Sequence, residues 1–250
     1  MSPHTLCTGS PPLPLCEELA LCNRTIDSCD RCSLATLCRS AAPTDRIATV
    51  RTVVAPGRAL YIEGRPTDAI YALRSGSIKE VVTRPSGTES VLQVALAGEV
   101  IGLAGLFGAD SKTSAIALTE THLCRLSRTS LERLATEAPR VGMELLRLLA
   151  ARVNATQEIL SALFEQTALA RVATFVLDIS SRLQRAGLDG SRFRLAVSRR
   201  DIASYLGLTI ETVSRCMTEL GRLGAIDVSA KNLHVLDRTD LRLIADSVTG

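Results

Sequence analysis

Residues 201–215 read Asp-Ile-Ala-Ser-Tyr-Leu-Gly-Leu-Thr-Ile-Glu-Thr-Val-Ser-Arg, and this stretch decides the fold of the C-terminal part of the chain. Ser198, with an Asp three residues later, is a capping-box variant that predicts the start of a helix. Gly207 ends that helix and permits a tight turn. Thr209 caps a second helix, which we expect to stop at Gly224. The stretch therefore predicts two short helices joined by a tight turn.

The two faces of the second predicted helix differ in chemistry. The apolar positions of the two helices are expected to face inward: Ile202, Ala203, Leu206, Ile210, Val213, Met217 and Leu220. The opposite face carries Glu211, Ser214, Arg215 and Thr218 at helical spacing. Arg can donate two hydrogen bonds to guanine, Glu can accept one from cytosine N4, and Ser can do either. We therefore expect Glu211, Ser214 and Arg215 to read bases in the major groove of DNA.

Flanking residues complete a predicted DNA-binding unit. Arg199, Arg200 and Arg222 stand where they can hold phosphates of the DNA backbone. Residues 225–229 and 233–236 have the pattern of a hairpin, the wing of a winged helix-turn-helix. The alternative is an ordinary helix pair with a solvated charged face. We favour DNA binding because short helix, glycine turn, polar-faced helix and hairpin occur together.

Cysteines provide the second signal. Cys29, Cys32 and Cys38 are spaced C-x2-C-x5-C, and Cys124 follows far downstream. Three thiolates from one loop and one from elsewhere commonly hold an iron–sulfur cluster. The same thiolates could instead bind zinc or carry out dithiol redox chemistry.

Other cysteines and a histidine are weaker candidates for ligands of the cluster or metal. Cys16 and Cys22 are potential substitutes in the cysteine loop, and His122 lies two residues before the fourth cysteine. We interpret His122 as a surface or outer-shell residue. Cys216 is interpreted as a packing residue of the second short helix, because free Cys behaves as a small hydrophobe.

The middle of the chain has a β pattern. Short β-branched stretches are separated by Gly and Pro, and the predicted strands are Ala48–Val54, Ala59–Ile62, Ala69–Arg74, Ser77–Thr83, Ser90–Ala95, Thr113–Leu118 and His122–Ser127. Short strands at nearly regular spacing predict a sandwich or jelly roll.

A long helix is predicted over residues 139–166, with Pro139 in its first turn. Its apolar positions follow heptad spacing and predict a parallel dimer seam formed by Leu146, Leu149, Val153, Thr156, Leu160 and Leu163. The alternative is a helix that packs only on its own domain. A second stripe indicates that one face contacts the β domain and the other a partner; it consists of Leu145, Leu148, Ile159 and Ala162. A further amphipathic helix at 168–186 and a strand at 192–197 are also predicted.

These segments predict an α+β protein with four parts. They are an N-terminal arm with the cysteine loop (1–45), a β jelly-roll domain (46–135), a dimerisation helix (136–167) and a winged helix-turn-helix domain (168–250).

Composition limits the functional classes. The formal net charge is only +3, so DNA binding must come from a local patch. No apolar run reaches the ~18 residues of a membrane span, and the N-terminus lacks a secretory pattern. We therefore expect a cytoplasmic protein that does not contact membranes. In a reducing cytosol, its eight cysteines should not form a disulfide framework.

Residues 201–215 resemble the helix-turn-helix of the CRP/FNR regulators, and within them the oxygen-sensing FNR branch (fumarate and nitrate reduction regulators). The cysteine loop has the spacing of that branch's cluster loop, and Cys124, in Glu120-Thr-His-Leu-Cys124, matches the fourth ligand. The resemblance covers roughly residues 25–245, and it implies that the jelly roll is a sensor domain of the cyclic-nucleotide-binding type. It implies a [4Fe–4S] cluster on the four cysteines and a homodimer while the cluster is intact. It also implies binding to a TTGAT-N4-ATCAA palindrome and contact with RNA polymerase, usually to activate and sometimes to repress.

Two positions depart from the family pattern. Neutral Thr156 stands where the FNR branch has an acidic residue that helps to keep the cluster-free protein monomeric. Thr113-Ser114 stands where the cyclic-nucleotide branch grips phosphate with an Arg-Ser pair. Because a buried cyclic phosphate would lack its charged partner, no cyclic nucleotide is expected.

Two other functions compete with a cluster-gated regulator. A cupin-like jelly-roll enzyme needs clustered His or carboxylate ligands in the barrel, and residues 46–120 contain no His. A regulator on the same scaffold could respond to nitric oxide, haem, zinc or a small molecule. We therefore expect a transcriptional regulator and not an enzyme.

Overall fold

A computed structural model of the protein describes residues 50–105, 110–137, 139–165 and 167–247. The predicted N-terminal arm and cysteine loop, with Cys29, Cys32 and Cys38, lie outside the described residues.

The N-terminal part of the described chain is built from antiparallel strands. They are β1 (Val50–Val54), β2 (Ala59–Tyr61), β3 (Ala69–Ser75), β4 (Ser77–Thr83), β5 (Glu89–Leu96), β6 (Val100–Ile101), β7 (Ser114–Ala117) and β8 (Thr121–Ser127). Two four-stranded sheets result, in the orders β1-β8-β3-β6 and β2-β7-β4-β5. The predicted jelly-roll-type domain is confirmed; only the two-residue strand β6 had no sequence signal.

Apolar side chains from both sheets meet in one core. Leu73, Ile101 and Leu123 of the first sheet pack in the same cluster as Ile78 and Ala115 of the second. The β3–β4 turn depends on Gly76, whose φ is +86°. A β-carbon at this glycine would lie 2.4 Å from the backbone oxygen of Glu120, so a larger residue does not fit.

Two helices follow the β domain: α1 (Arg128–Glu137) and α2 (Pro139–Glu165). The predicted long helix is therefore confirmed, whereas α1 was missed. Only Leu131 and Leu134 of α1 are large apolar residues with buried side chains. Two such positions are too few to establish a helical period.

The C-terminal domain (residues 167–247) combines helices with a small sheet. Its elements are α3 (Ala168–Arg185), β9 (Arg192–Arg194), α4 (Arg199–Leu206), α5 (Ile210–Arg222), β10 (Ile226–Ser229), β11 (Asn232–Val235) and α6 (Arg238–Ala245). The strands pair in the order β10-β11-β9. The predicted strand 192–197 was too long, because the chain leaves the sheet after Arg194 to bury Leu195 and Val197. Helix α6 was not predicted.

The two domains share a hydrophobic core. Val91 and Val94 of β5 belong to the same buried cluster as Phe175 of α3 and Ile202 of α4. Across the described chain, no helix is sufficiently long and apolar to span a membrane.

Polar contacts reinforce the junction between α4 and the β4–β5 hairpin. Lys79 Nζ donates to Asp201 Oδ1 at 2.9 Å, and the backbone N–H of Val91 donates to Ser204 Oγ at 2.9 Å. Burial raises the pKa of Asp201, but the Ser198 hydroxyl and the Lys79 ammonium lower it more, so this pKa lies below its usual value. The pair is therefore ionised at neutral pH.

Arg182 of α3 forms the strongest polar link between the domains. Its Nε and Nη2 donate to the two carboxylate oxygens of Glu99, each at 2.6 Å, and Nη1 donates to Asp178 at 2.9 Å. Nη2 also contacts the backbone oxygen of Val94. Burial by itself lowers the pKa of Arg182, but the Glu99 and Asp178 carboxylates raise it overall.

Replacing Arg182 with Met should destabilise the folded chain. The change leaves Glu99 poorly solvated without its cation, which we expect to lower the free energy of unfolding by about 2–3 kcal/mol. Urea unfolding followed by circular dichroism measures the loss. Arg185→Met, at an exposed position one turn further along α3, should change it by less than about 0.5 kcal/mol. Equal losses in both variants would contradict the importance of the interdomain link.

Candidate nucleic-acid interface and sensor residues

Local capping signals position the two short helices. The Ser198 side chain accepts a hydrogen bond from the backbone N–H of Asp201 and caps α4. Gly207 adopts the left-handed conformation, with φ +62° and ψ +38°, and ends α4. The Thr209 side chain accepts from the backbone N–H of Thr212 and caps α5. The predicted helix-turn-helix is thus confirmed. The contacts that cap and end its helices join residues only three or four positions apart in the sequence.

The inward face of α5 differs from the prediction at one position. Val213, Met217 and Leu220 are buried as expected, and Cys216 joins them in the shared core. Ile210 was predicted to be buried but is 38% exposed. It is the first residue of α5, and the exposure of its side chain shows that the core does not extend to this end of the helix.

The outward face of α5 presents the predicted base-reading residues. Glu211, Ser214, Arg215 and Thr218 are all exposed. The pKa of Glu211 is lowered by its own backbone N–H and by the Thr209 hydroxyl, so the carboxylate is a ready acceptor. The Ser214 hydroxyl donates to the backbone oxygen of Ile210 at 2.9 Å, which leaves its lone pairs for an incoming donor. Together these groups offer acceptors beside the donors of Arg215.

The three predicted phosphate contacts differ in their surroundings. Arg200 is exposed, whereas Arg199 is half-buried and burial lowers its pKa. Arg222 donates to Glu219 through Nε at 2.9 Å and Nη2 at 2.8 Å. Of the three, Arg200 is therefore the one that is exposed and forms no ion pair among the described residues. Lys231, exposed at the tip of the β10–β11 hairpin, is a further candidate that sequence reasoning did not single out.

Helix α2 has one covered and one exposed apolar face. Leu145 and Leu148 pack on a cluster that includes Ile70 and Leu126 of the β domain, as predicted for the second stripe. The remaining apolar side chains form what we call the α2 stripe. Its exposed members are Met143, Leu146, Leu149, Val153, Leu160 and Phe164.

The α2 stripe agrees with most of the predicted seam but is wider. Phe164, which is 84% exposed, and Met143 were not predicted, because they flank the strict heptad positions. Leu163 is half-buried, and its Cδ2 lies 3.6 Å from where a β-carbon on Gly207 would stand. Thr156 is exposed, and its hydroxyl donates to the backbone oxygen of Arg152 at 3.0 Å. No charge therefore stands at this position of the predicted seam.

Cys124, the predicted fourth cluster ligand, lies on a central strand. It is half-buried in β8, opposite Arg51 of β1 on one side and Ala72 of β3 on the other. His122 is exposed, and its Nε2 lies 3.3 Å from Glu120 Oε1, consistent with a surface residue. The described residues hold no group of three or more His, Cys, Asp or Glu side chains suited to a metal. The other three predicted ligands lie outside them.

The interior of the β domain contains a buried carboxylate. Glu80 of β4 is 9% exposed and accepts hydrogen bonds from the Tyr61 hydroxyl and, at 3.3 Å, from Thr113 Oγ1. Burial, and then the Glu80 carboxylate, raise the pKa of Tyr61. Arg152 of α2 approaches Glu80, with Nη2 and Oε2 3.5 Å apart. Ser114 Oγ accepts from the backbone N–H of Glu63 at 2.9 Å, so Thr113 and Ser114 both serve internal contacts.

Two family models match the chain. A cyclic nucleotide-binding domain matches residues 51–138, and a Crp-like helix-turn-helix domain matches residues 170–244. A cyclic nucleotide-binding domain followed by a Crp-like helix-turn-helix domain is the domain arrangement of a class of transcriptional regulators.

Individual relatives narrow the class. The transcriptional activator protein Anr of Pseudomonas aeruginosa is 33% identical over 87% of this chain and 92% of that protein. The fumarate and nitrate reduction regulatory protein of Vibrio cholerae is 28% identical over 87% of this chain and 90% of that protein. The structure of FixK2 from Bradyrhizobium japonicum superposes with a TM-score of 0.74 at 27% identity, covering 81% of this chain and all of that one. The chain belongs to the CRP/FNR family of transcriptional regulators.

Proposed function

We propose that the protein is a cytoplasmic, oxygen-responsive transcriptional regulator. A [4Fe–4S] cluster promotes dimerisation and binding to a TTGAT-N4-ATCAA-type palindrome, and contact with RNA polymerase then activates, or sometimes represses, genes of anaerobic metabolism. The observation that carries the DNA-binding part is the exposed polar face of α5, with Glu211, Ser214 and Arg215 on a capped, well-packed helix. The names of the relatives, an activator and a regulator of fumarate and nitrate reduction, support the anaerobic part.

The α2 stripe supports the homodimer. Helix α2 has 27 residues and is therefore about 40 Å long. Apolar side chains extend along it from Met143 to Phe164. A soluble monomer rarely exposes so continuous an apolar surface. A second copy of α2 in parallel would cover it, and the resulting two-fold symmetry matches a palindromic site.

Cysteine chemistry supports the cluster. Cys29, Cys32, Cys38 and Cys124 would supply four thiolates, the soft ligands that iron–sulfur clusters select. Cys124 is held by strand pairing on both sides, so its position is rigid. Near it, Nε and Nη2 of Arg51 are buried without a hydrogen-bond partner among the described residues, which fits an anionic group beside this cysteine. When bound, the cluster would supply iron that reacts with oxygen.

The contacts of buried Glu80 with Tyr61 and Thr113 argue against a cyclic nucleotide as the signal. Thr113 and Ser114, which stand where the cyclic-nucleotide branch grips phosphate, are engaged with Glu80 and with the backbone of Glu63. A buried carboxylate would also repel a phosphate placed beside it. This arrangement supports a signal other than a cyclic nucleotide.

A small-molecule signal is the second candidate function, because a cavity lies between the domains. Its volume is about 640 Å³, in the range of ligand pockets. Helices α2 and α3 line it with Ile159, Ala162 and Phe175, and Glu99 and Arg182 also contribute. A regulator gated through this cavity would respond to its ligand in the complete absence of iron.

The base-reading prediction concerns Arg215. Only guanine offers two acceptors on its major-groove edge, so Arg215→Ala should cost about 1–3 kcal/mol per half-site and relax discrimination at the guanine of TTGAT. Fluorescence anisotropy with wild-type and guanine-substituted duplexes measures the change. Arg200→Ala is the control: it should weaken both duplexes alike and lower the salt slope by about one unit. If Arg215→Ala also weakens both duplexes equally, Arg215 is a backbone contact.

The dimer prediction concerns Val153, which is 53% exposed in the α2 stripe. Val153→Asp would place two like charges in an apolar seam and should leave a monomer that cannot hold the palindrome. Sedimentation velocity of the anaerobic protein measures the oligomeric state. Asn154→Asp adds the same charge one residue outside the stripe and should leave the dimer intact. A dimeric Val153→Asp protein would place the interface elsewhere.

The cluster prediction concerns Cys124. Cys124→Ser replaces the soft thiolate with a hydroxyl and should abolish anaerobic iron and sulfide content. Chemical assays of iron and acid-labile sulfide, with the visible spectrum, measure occupancy. Cys7→Ser, the same change at a cysteine outside the proposed ligand set, should retain the cluster. Full occupancy in Cys124→Ser would remove Cys124 from the ligands.

A further inference from the structure

Arg51 lies directly beside the proposed fourth cluster ligand. It pairs with Cys124 across the β1–β8 ladder. Directly opposed residues of antiparallel strands direct their side chains to the same face, with β-carbons about 4.5–5.5 Å apart. The same face continues through Ala72 and Leu126 into the apolar cluster under α1 and α2. A permanent cation therefore stands next to a half-buried thiol at the edge of an apolar region.

The environment of this guanidinium is anomalous. Its Nε and Nη2 are buried and have no hydrogen-bond partner among the described residues. Two other half-buried arginines form ion pairs: Arg182 contacts Glu99, and Arg125 Nη2 lies 2.7 Å from Asp68 Oδ1. A buried donor without an acceptor destabilises the folded state, and more so when it is charged. A Leu or Met at this position would avoid that cost. We therefore expect Nε and Nη2 of Arg51 to donate to an acceptor that is not among the described residues.

We infer that Arg51 positions and tunes the iron–sulfur cluster by donating hydrogen bonds to the Cys124 thiolate or to a cluster sulfide. The inference rests on the proposed function. Four thiolates give a cluster site a net negative charge, and a guanidinium beside it compensates that charge. Hydrogen bonds to cluster sulfur are among the factors that set its reduction potential. Outer-shell partners of this kind also hold ligands in their binding orientation.

The first experiment compares cluster retention. Wild type, Arg51→Met, Arg51→Lys and the control Arg58→Met, at an exposed position before β2, are purified without oxygen. Their iron is then released to a ferrous chelator. We expect iron release to be about 10–100-fold faster from Arg51→Met than from wild type. Arg51→Lys should show a smaller increase, because it keeps the charge but loses the planar set of guanidinium donors. Arg58→Met should release iron at the wild-type rate. The reduction potential of the cluster should fall in Arg51→Met, because the variant removes a hydrogen-bond donor and a positive charge beside the cluster.

A second measurement separates this role from a structural one. In cluster-free protein the buried donors of Arg51 are unsatisfied, so Arg51→Met should unfold at the same or higher urea concentration than wild type. Marked destabilisation of the cluster-free variant would overturn the inference, because it would show that Arg51 serves the fold. Unchanged iron release and potential in a cluster-containing Arg51→Met protein would also overturn it and leave the proposed function intact. Absence of iron and sulfide from anaerobic wild type would refute both.

Discussion

The packing of the reader helices on the β4–β5 hairpin of the same chain is the constraint on which the rest of the structure depends. Val91 and Val94 share a core with α3 and α4, and Arg182 and Lys79 add ion pairs across the junction. Because α4 is fixed in this way, α5 can present its polar face outward on a rigid support. Helix α2, docked on the β domain through Leu145 and Leu148, keeps its other face exposed. The surfaces proposed to bind DNA and to dimerise are thus fixed relative to Cys124.

Features encoded by local signals could be predicted from the sequence. Ser198, Gly207 and Thr209 cap and break helices through contacts within three or four residues, and the structure places all three as expected. The β domain was predictable because β-branched segments alternate with Gly and Pro. Gly76 is one of these separators, and the structure leaves no room there for a side chain. The heptad spacing of apolar residues in α2 extends over several turns, and it predicted both the face that packs on the β domain and the exposed face. The exposed positions of Glu211, Ser214 and Arg215 could be predicted from the helical spacing of the apolar residues in α5.

Features that depend on distant contacts or on element ends were missed. Ile210 fits the apolar period but stands at the end of α5, where it is exposed. Helix α1 has too few large apolar residues to show a period. Arg182 and Glu99 are 83 residues apart, and nothing in either segment indicates their pairing. The Glu80–Tyr61 contact and the unsatisfied Arg51 depend in the same way on strand register, which the sequence alone does not define.

Control of DNA binding by an iron–sulfur cluster is the central proposal for this fold. Its most direct test follows fluorescence anisotropy of a labelled TTGAT-N4-ATCAA duplex and the visible spectrum of the same anaerobic sample during admission of air. We expect a broad absorption band at the blue edge of the visible range, tight binding before exposure to air, and loss of binding in step with bleaching of that band. Binding that persists unchanged after the iron is lost, or that occurs in protein that never held iron, would contradict it.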